Sequence, residues 1–285
     1  MVTIAAAAAA AAAGLAGCGA TPRKAPTISV VTSLYPLAQA VAAIGGSSVT
    51  VVDLSTAGVN PRTEAPTTGQ LEGIRMASVI VAVGGGFQPA LEQAIGTGPR
   101  VVTLAPRFGP GGEGAWLDPL SMKAFAPIIA GALSAANPRA ADRYANGALD
   151  FAEQMKSEAI NFESELGGCA RRDIAAPDAT LGALTREYHL SLHPLGTAPA
   201  PSAADVAAAA TTVTSSMSQL FAQPWVDNTT VKAVAARSGS RIRNFDTLEA
   251  PPAGGWRRPS TYLSLLATDR ATLGAALACG AGGIS

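Results

Sequence analysis

The segment at residues 137–168 constrains the fold more than any other, because its pattern predicts one long helix. Asn137 is a residue type that caps helix starts, Pro138 suits the first helical position, and the two glycines at 167–168 end the helix. Apolar residues recur at alternating steps of three and four and therefore lie on one helical face. They are Tyr144, Ala148, Phe151, Met155, Ala159, Phe162 and Leu166. Because strand-helix patterns of similar length precede and follow it, we predict a spine helix that joins two lobes.

The sequence on either side of the spine alternates between β-branched runs and helical stretches. Predicted strands occupy residues 28–32, 49–54, 79–83, 101–104 and 241–245, and predicted helices occupy residues 36–44, 71–76, 203–217, 231–236 and 260–279. Such alternation is typical of parallel sheets, whose ligand loops follow the strands. We therefore predict an α/β fold of two lobes, each a parallel sheet flanked by helices, joined by one long spine helix. The N-terminal lobe is predicted at 27–136, the spine at 137–167 and the C-terminal lobe at 168–285.

The first residues of the chain have the composition of an export signal. Residues 5–13 are an unbroken alanine run, shorter than the roughly 20 residues that span a bilayer. Residues 15–18, Leu-Ala-Gly-Cys, resemble the bacterial lipobox, in which the cysteine is lipidated. We predict a signal peptide at 1–17, lipidation at Cys18, a tether at 18–26, and a lipid-anchored protein on the extracytoplasmic face of the cell membrane. The alternative is a free cysteine in an N-terminal tail, since the first cations of the chain follow Cys18.

Export makes the two remaining cysteines informative. Cys169 directly follows the predicted spine, and Cys279 lies near the C-terminus. An oxidising compartment favours their pairing, and neither belongs to a C-x-x-C motif that would indicate a redox or zinc site. We predict a disulfide between Cys169 and Cys279 that joins the last helix to the start of the second lobe.

Charge and residue types exclude several functions. The 20 basic and 20 acidic residues cancel, and no basic stripe is present, so we expect no nucleic-acid binding. The chain has two histidines and no G-x-S-x-G motif, which leaves little material for acid-base or nucleophilic catalysis. The three glycines at 84–86 precede a helix, but Pro89 stands where a dinucleotide fingerprint needs glycine, so they predict a tight turn. We expect a monomer that is not an enzyme.

Short motifs along the chain, taken in order, resemble those of the solute-binding lipoproteins of bacterial zinc and manganese ABC importers. They lie at residues 32–37, 58–67, 84–91, 116–119, 171–182, 244–249 and 262–266. The spine is similar to the rigid interlobe helix of that family. Each motif alone is weak, but their order and spacing together are specific. The resemblance implies capture of zinc or manganese in the cleft between the lobes and delivery to an ABC permease in the membrane.

The resemblance also implies a metal site of three histidines and one carboxylate, a donor set that suits tetrahedral zinc. Carried over to this chain, the four ligand positions are Arg62, Gly114, Asp178 and Asp246. Only Asp246 keeps the residue type of the family, and an arginine cannot deprotonate to become a ligand. Asp178 and Asp246 therefore remain as the candidate metal ligands.

We hypothesise that Arg62 has replaced the metal, with its guanidinium bridging Asp178 and Asp246 across the cleft. Bidentate arginine–carboxylate pairing makes this arrangement chemically reasonable. The alternative is that the cleft has drifted and that Arg62 points to solvent. The resemblance implies that residues 188–193 run from a helix end into a strand. Because residues four apart on a strand are roughly 13 Å from each other, His189 and His193 do not restore a metal site. We expect both histidines at the surface.

Three classes of function stay open. The leading one is an extracytoplasmic solute-binding lipoprotein that captures a metal ion in the interlobe cleft and passes it to a permease. The second is a degenerate family member that no longer binds metal and acts as a surface scaffold, a regulatory lipoprotein or an adhesin-like protein. The third is an enzyme or a carrier of another small molecule that uses the same cleft.

Overall fold

The computed structural model describes residues 27–109, 112–255 and 261–280. The predicted signal peptide at 1–17, Cys18 and the tether at 18–26 lie outside the described residues. The predicted fold class is confirmed, because the described chain contains two four-stranded parallel sheets flanked by helices, with a long helix between them.

The N-terminal sheet has the strand order β2-β1-β3-β4. Its elements are β1 (Ile28–Thr32), α1 (Tyr35–Gly45), β2 (Val49–Asp53), α2 (Thr68–Met76), β3 (Val79–Ala82), α3 (Pro89–Ile95) and β4 (Val101–Thr103). The four predicted strands agree to within one residue at either end. Helix α2 begins three residues earlier than predicted, because Thr67 and Gln70 form a capping box at its start. The glycines at 84–86 adopt positive φ in the turn after β3, as predicted.

Two helices follow and share one hydrophobic core, α4 (Pro119–Ala136) and α5 (Ala141–Leu166). The predicted start of the spine is confirmed in part, because Asn137 precedes and Pro138 begins the helical turn that leads into α5. Asn137 terminates α4, and its side chain donates to the Tyr144 hydroxyl instead of capping a helix. Residues Pro138–Ala140 form a separate 3-10 turn, so that the spine is the 26-residue helix α5. The predicted apolar stripe is confirmed, since all seven of its members are buried.

Helix α4 is the one helix in the described part of the chain that is long and apolar enough to cross a membrane. Length and composition alone give this result, and core helices pass the same test. Met122, Phe125 and Ile129 of α4 are fully buried in the main hydrophobic core, which they share with α5. These contacts are those of a core helix.

The C-terminal sheet has the strand order β6-β5-β7-β8. Its elements are β5 (Asp173–Ala176), α6 (Gly182–Glu187), β6 (Ser191–Pro194), α7 (Ala203–Ser215), β7 (Gln219–Ala222), α8 (Thr229–Ser238), β8 (Ile242–Asn244) and α9 (Tyr262–Leu277). A disulfide joins Cys169 to Cys279. Arg270 of α9 also pairs with Glu158 and Glu165 of α5. These links hold the final helix against the spine.

Candidate ligand site between the two lobes

Loops that follow strands of both sheets meet between the lobes. Arg62 lies after β2, Phe87 after β3, Asp178 after β5 and Glu249 after β8. The carboxyl ends of parallel strands face the same side of a sheet, so two facing sheets bring these loops together. The resulting cluster occupies the position in which the sequence predicts a ligand site.

The Arg62 guanidinium is bonded to side chains of the opposite lobe. Its Nε and Nη2 donate to the two carboxylate oxygens of Glu249, at 2.8 and 2.5 Å. Its Nη1 donates to Asp178 Oδ2 at 2.5 Å, and Nη2 also donates to Thr180 Oγ1 at 3.0 Å. The guanidinium carbon lies 4.8 Å from the centre of the Phe87 ring, within the range of a cation–π contact. All three guanidinium nitrogens are therefore used in holding the lobes together.

Local hydrogen bonds fix the partners in these positions. The Asn60 side chain accepts from the Arg62 backbone N–H at 3.0 Å and donates to the Trp225 carbonyl at 2.8 Å. Asp178 Oδ1 accepts from the Thr180 backbone N–H at 2.9 Å, which leaves Oδ2 for Arg62. These hydrogen bonds orient the Arg62 loop and the Asp178 carboxylate toward each other.

The cluster is largely removed from water. The Glu249 side chain is 0% exposed, that of Arg62 15% and that of Asp178 23%. Burial raises the pKa of Glu249, while the hydrogen bond and charge of Arg62 act in the opposite direction. Burial alone would lower the pKa of Arg62, but Glu249 and then Asp178 raise it above its ordinary value. The arginine is a permanent cation that pairs with both carboxylates.

Gly114 occupies the second ligand position of the family, where the opposite lobe leaves no room for a side chain. A Cβ atom built on Gly114 would lie 1.6 Å from the Thr180 carbonyl oxygen of the opposite lobe. That separation is far below any van der Waals contact, so a histidine does not fit while the lobes are this close. The same loop donates from Trp116 Nε1 to the Thr247 carbonyl at 2.7 Å. The loop therefore serves as a close contact between the lobes.

The hypothesis for Arg62 is confirmed for Asp178 and wrong for Asp246. Asp246 accepts from the Leu248 backbone N–H at 2.9 Å, whereas Glu249 takes the predicted role in the bridge. Leu248 adopts a positive φ of 55° between them, which turns the chain so that the carboxylate of Glu249 reaches the guanidinium. Sequence reasoning missed Glu249, although a second carboxylate three residues after Asp246 is visible in the sequence.

No group of three or more histidine, cysteine, aspartate or glutamate side chains in the described residues is placed to share a metal ion. His189 is exposed in a turn, as expected, but His193 is half-buried on β6, with Nε2 2.8 Å from Asp173 Oδ1. The donor set around Arg62 consists of two carboxylates that are already paired with a cation. These residues do not fit a zinc ion in the arrangement that the structure shows.

Asp246 also faces a second buried acid, Asp269 of α9, whose side chain is 3% exposed. Burial, and secondarily the charge of Asp246, raise the pKa of Asp269 well above its usual value. An acid with a raised folded-state pKa contributes stability below its unfolded-state pKa, and this contribution is lost as the pH rises toward the folded-state value. Stability therefore falls above about pH 4, where Asp269 ionises in the unfolded chain while burial keeps it protonated in the folded one.

We expect Asp269→Asn to be more stable than the wild type, by a margin that grows as the pH is raised from 4 to 8. Denaturant unfolding at a series of pH values measures that margin. Asp227→Asn is the control, because Asp227 is exposed and its pKa is lowered by the hydrogen bonds of Thr229. A margin for Asp269→Asn that stays constant over this range would contradict the expectation.

Comparison with known families identifies the fold. The family model described as zinc-uptake complex component A, periplasmic, matches residues 30–276. The chain belongs to this family. No individually curated protein sequence matches the chain significantly. Membership of the zinc-uptake family confirms the resemblance read from the motifs, and that family consists of transport binding proteins.

Solved structures of similar proteins share the fold at low sequence identity. The Zn(II)-bound ZnuA-like domain of Streptococcus pneumoniae AdcA is 17% identical with a TM-score of 0.73, and the match covers 88% of this chain and 99% of that one. The laminin-binding protein Lmb of Streptococcus agalactiae, described as having adhesin and metal-transporting activity, is 20% identical with a TM-score of 0.74 and the same coverage. The metal-dependent lipoprotein YcdH of Bacillus subtilis is 17% identical with a TM-score of 0.73, covering 88% and 100%.

Proposed function

We propose that this zinc-uptake family member is a monomeric, lipid-anchored extracytoplasmic protein in which Arg62 has taken the place of the metal. It acts as a surface scaffold or regulatory lipoprotein and does not deliver metal. The observation that carries the proposal is the Arg62 guanidinium, which is bonded across the cleft to Asp178 and Glu249.

Electrostatics supports the replacement of a bound metal ion by the Arg62 side chain. A divalent ion beside Asp178 would meet the permanent charge of Arg62, and both would compete for the same carboxylate. Displacing Arg62 would also leave the fully buried Glu249 without its partner. Uncompensated buried charges are strongly unfavourable. The site therefore favours its internal cation over an added ion.

The bridge acts as a built-in ligand for the closed form of the cleft. A group that interacts with both lobes shifts the population toward the conformation in which both interactions are made. Arg62 is part of the chain, so its effect on lobe closure does not depend on the concentration of a metal ion. The protein would thus show one closed surface to a permease or another membrane partner at all metal concentrations. A regulatory or scaffolding role follows from that constancy.

Small-angle X-ray scattering tests this proposal. We expect the radius of gyration of the wild type to be unchanged by zinc or manganese, and to increase in Arg62→Ala. Asp178→Asn provides a milder variant, since it weakens one side of the bridge and keeps the buried Arg62–Glu249 pair. Arg75→Ala is the matched control, because Arg75 pairs with Glu72 on the exposed face of α2 and with no other acidic side chain among the described residues. Compaction of the wild type on adding either ion would overturn the proposal.

The second candidate function is transport of zinc or manganese by an oxygen-donor site that includes Asp178 and Asp246. The family match over most of the chain favours it. It requires that Arg62 swing away and that Asp246 turn toward Asp178. Delivery to an ABC permease belongs to this second candidate, whereas anchoring through lipid on Cys18 belongs to both.

A further inference from the structure

A second cavity, of about 440 Å³, lies in the C-terminal lobe at the carboxyl ends of β7 and β8. Its volume is within the range of small-molecule sites, and its place at the carboxyl ends of parallel strands is where α/β folds bind ligands. Gln223, Trp225, Lys232, Phe245 and Asp246 are among the residues that line it. We call it the β7–β8 pocket.

Unpaired buried polar groups line this pocket. Gln223 is 2% exposed, and neither the nitrogen nor the oxygen of its side-chain amide has a hydrogen-bond partner among the described residues. The indole nitrogen of Trp225 is also buried and unpartnered within the same set. Leaving a buried polar group unpaired costs about 1–3 kcal/mol, so such groups are usually paired with protein, water or ligand.

The loop does not need the Gln223 side chain for its own structure. The Asn228 side chain accepts from the Gln223 backbone N–H at 3.1 Å and donates to the carbonyls of Gln223 and Val226 at 2.8 and 3.1 Å. These bonds already close the turn between β7 and α8. The Gln223 amide is therefore buried without a structural task that the described residues show.

The chemistry of the lining indicates the class of ligand. A side-chain amide offers one donor face and one acceptor face, which together match a peptide group. Lys232 is an exposed cation, Asp246 is a half-buried carboxylate, and the remaining walls are largely apolar, with Phe245 among them. A cation, an amide and a carboxylate in one lining match a molecule with a carboxylate, a peptide bond and an ammonium group.

We propose that the β7–β8 pocket binds a short peptide of about two residues. Its peptide group pairs with the Gln223 amide, its terminal carboxylate with Lys232 and its amino group with Asp246. The Trp225 indole N–H donates to a carbonyl or carboxylate oxygen of the same ligand. This proposal goes beyond the function proposed above and does not depend on what occupies the interlobe site.

The pocket is also connected to the interlobe site through Trp225. This residue has a positive φ of 67°, and its carbonyl accepts from Asn60, which in turn accepts from the Arg62 backbone. A ligand that shifts Trp225 would therefore act on the loop that carries Arg62. This chain of bonds connects the loop that lines the pocket with the loop that carries Arg62.

Titration calorimetry of the full chain with L-alanyl-L-alanine tests the proposal. We expect saturable binding to the wild type, weaker binding of N-acetylalaninamide, which lacks both charges, and weaker binding of alanine, which lacks the peptide bond. Gln223→Leu should weaken dialanine binding by about tenfold or more, equivalent to about 1.4 kcal/mol. Gln219→Leu makes the same chemical change at the start of β7, outside the pocket lining, and should have no effect.

Lys232→Met keeps the test decisive if Gln223→Leu fails to fold, because Lys232 is an exposed residue on α8. It should weaken binding of dialanine and leave the binding of the uncharged N-acetylalaninamide unchanged. No saturable binding of dialanine to the wild type would overturn the proposal. Equal affinity for dialanine in the wild type and in a folded Gln223→Leu or Lys232→Met variant would overturn it as well.

Discussion

Arg62→Met is expected to lower the free energy of unfolding by about 3–5 kcal/mol, the usual cost of removing one partner from a buried ion pair. Methionine retains most of the side-chain length but none of the donors. Glu249, whose side chain is 0% exposed, would lose both of its bonds to Arg62, and Asp178 would lose its partner across the cleft. The loss therefore arises from an uncompensated buried charge and from the broken link between the lobes.

Urea unfolding measures this loss, with Arg75→Met as the matched control. Arg75 and Glu72 form an ion pair on one exposed helix face, so their separation should change stability by less than about 1 kcal/mol. Replacing Glu249 by glutamine in the Arg62→Met background should recover part of the stability, since it removes the unpaired charge. Equal stability losses in Arg62→Met and Arg75→Met would contradict a buried bridge.

Gly114→Ala is expected to destabilise the protein by about 3 kcal/mol, the upper part of the usual range for overpacking. The backbone of Gly114 has φ −107°, which alanine adopts without strain. The cost arises from the added methyl group, which would meet the carbonyl oxygen of Thr180 at 1.6 Å. Because that atom belongs to the backbone of the opposite lobe, the lobes must separate to accommodate the methyl group.

Gly131→Ala is the matched control for this substitution. Gly131 lies inside α4, and a Cβ atom there would have no neighbour within 4 Å. Alanine in a helix interior is favoured over glycine, so this variant should gain about 0.5–1 kcal/mol. Denaturant unfolding of the two variants compares them directly. A Gly114→Ala variant as stable as the wild type would show that the lobes are not held at this distance.

The sequence predicted the N-terminal lobe well because its signals are local. Its strands are β-branched runs bounded by turn residues, and the stripe on α5 repeats over seven positions. Strands β5 and β7 were not predicted, since between them they contain one β-branched residue, Ile174. Only pairing within the sheet makes them strands. Asn137 and Pro138 begin a helical turn as predicted, but they follow α4 almost directly, and a 3-10 turn precedes the regular helix α5.

The site could be predicted in part. Family positions identified Arg62 and Asp178, and the affinity of a guanidinium for carboxylates predicted their contact. The choice between Asp246 and Glu249 depends on the positive φ of Leu248. A conformation that non-glycine residues rarely adopt has no sequence signal of its own. The backbone of Thr180 likewise fills the space at the second ligand position. This is a tertiary contact that a glycine at position 114 makes possible, but the sequence does not predict it.

Zinc titration calorimetry on the full chain, purified without a histidine tag, tests the central claim that Arg62 has replaced the metal. The structure predicts no saturable heat with zinc or with manganese in the wild type. Stoichiometric binding with a Kd below about 1 µM, equivalent to about −8.2 kcal/mol, would contradict the claim. If that binding were lost in Asp178→Ala and in Asp246→Ala, an oxygen-donor metal site would be established instead.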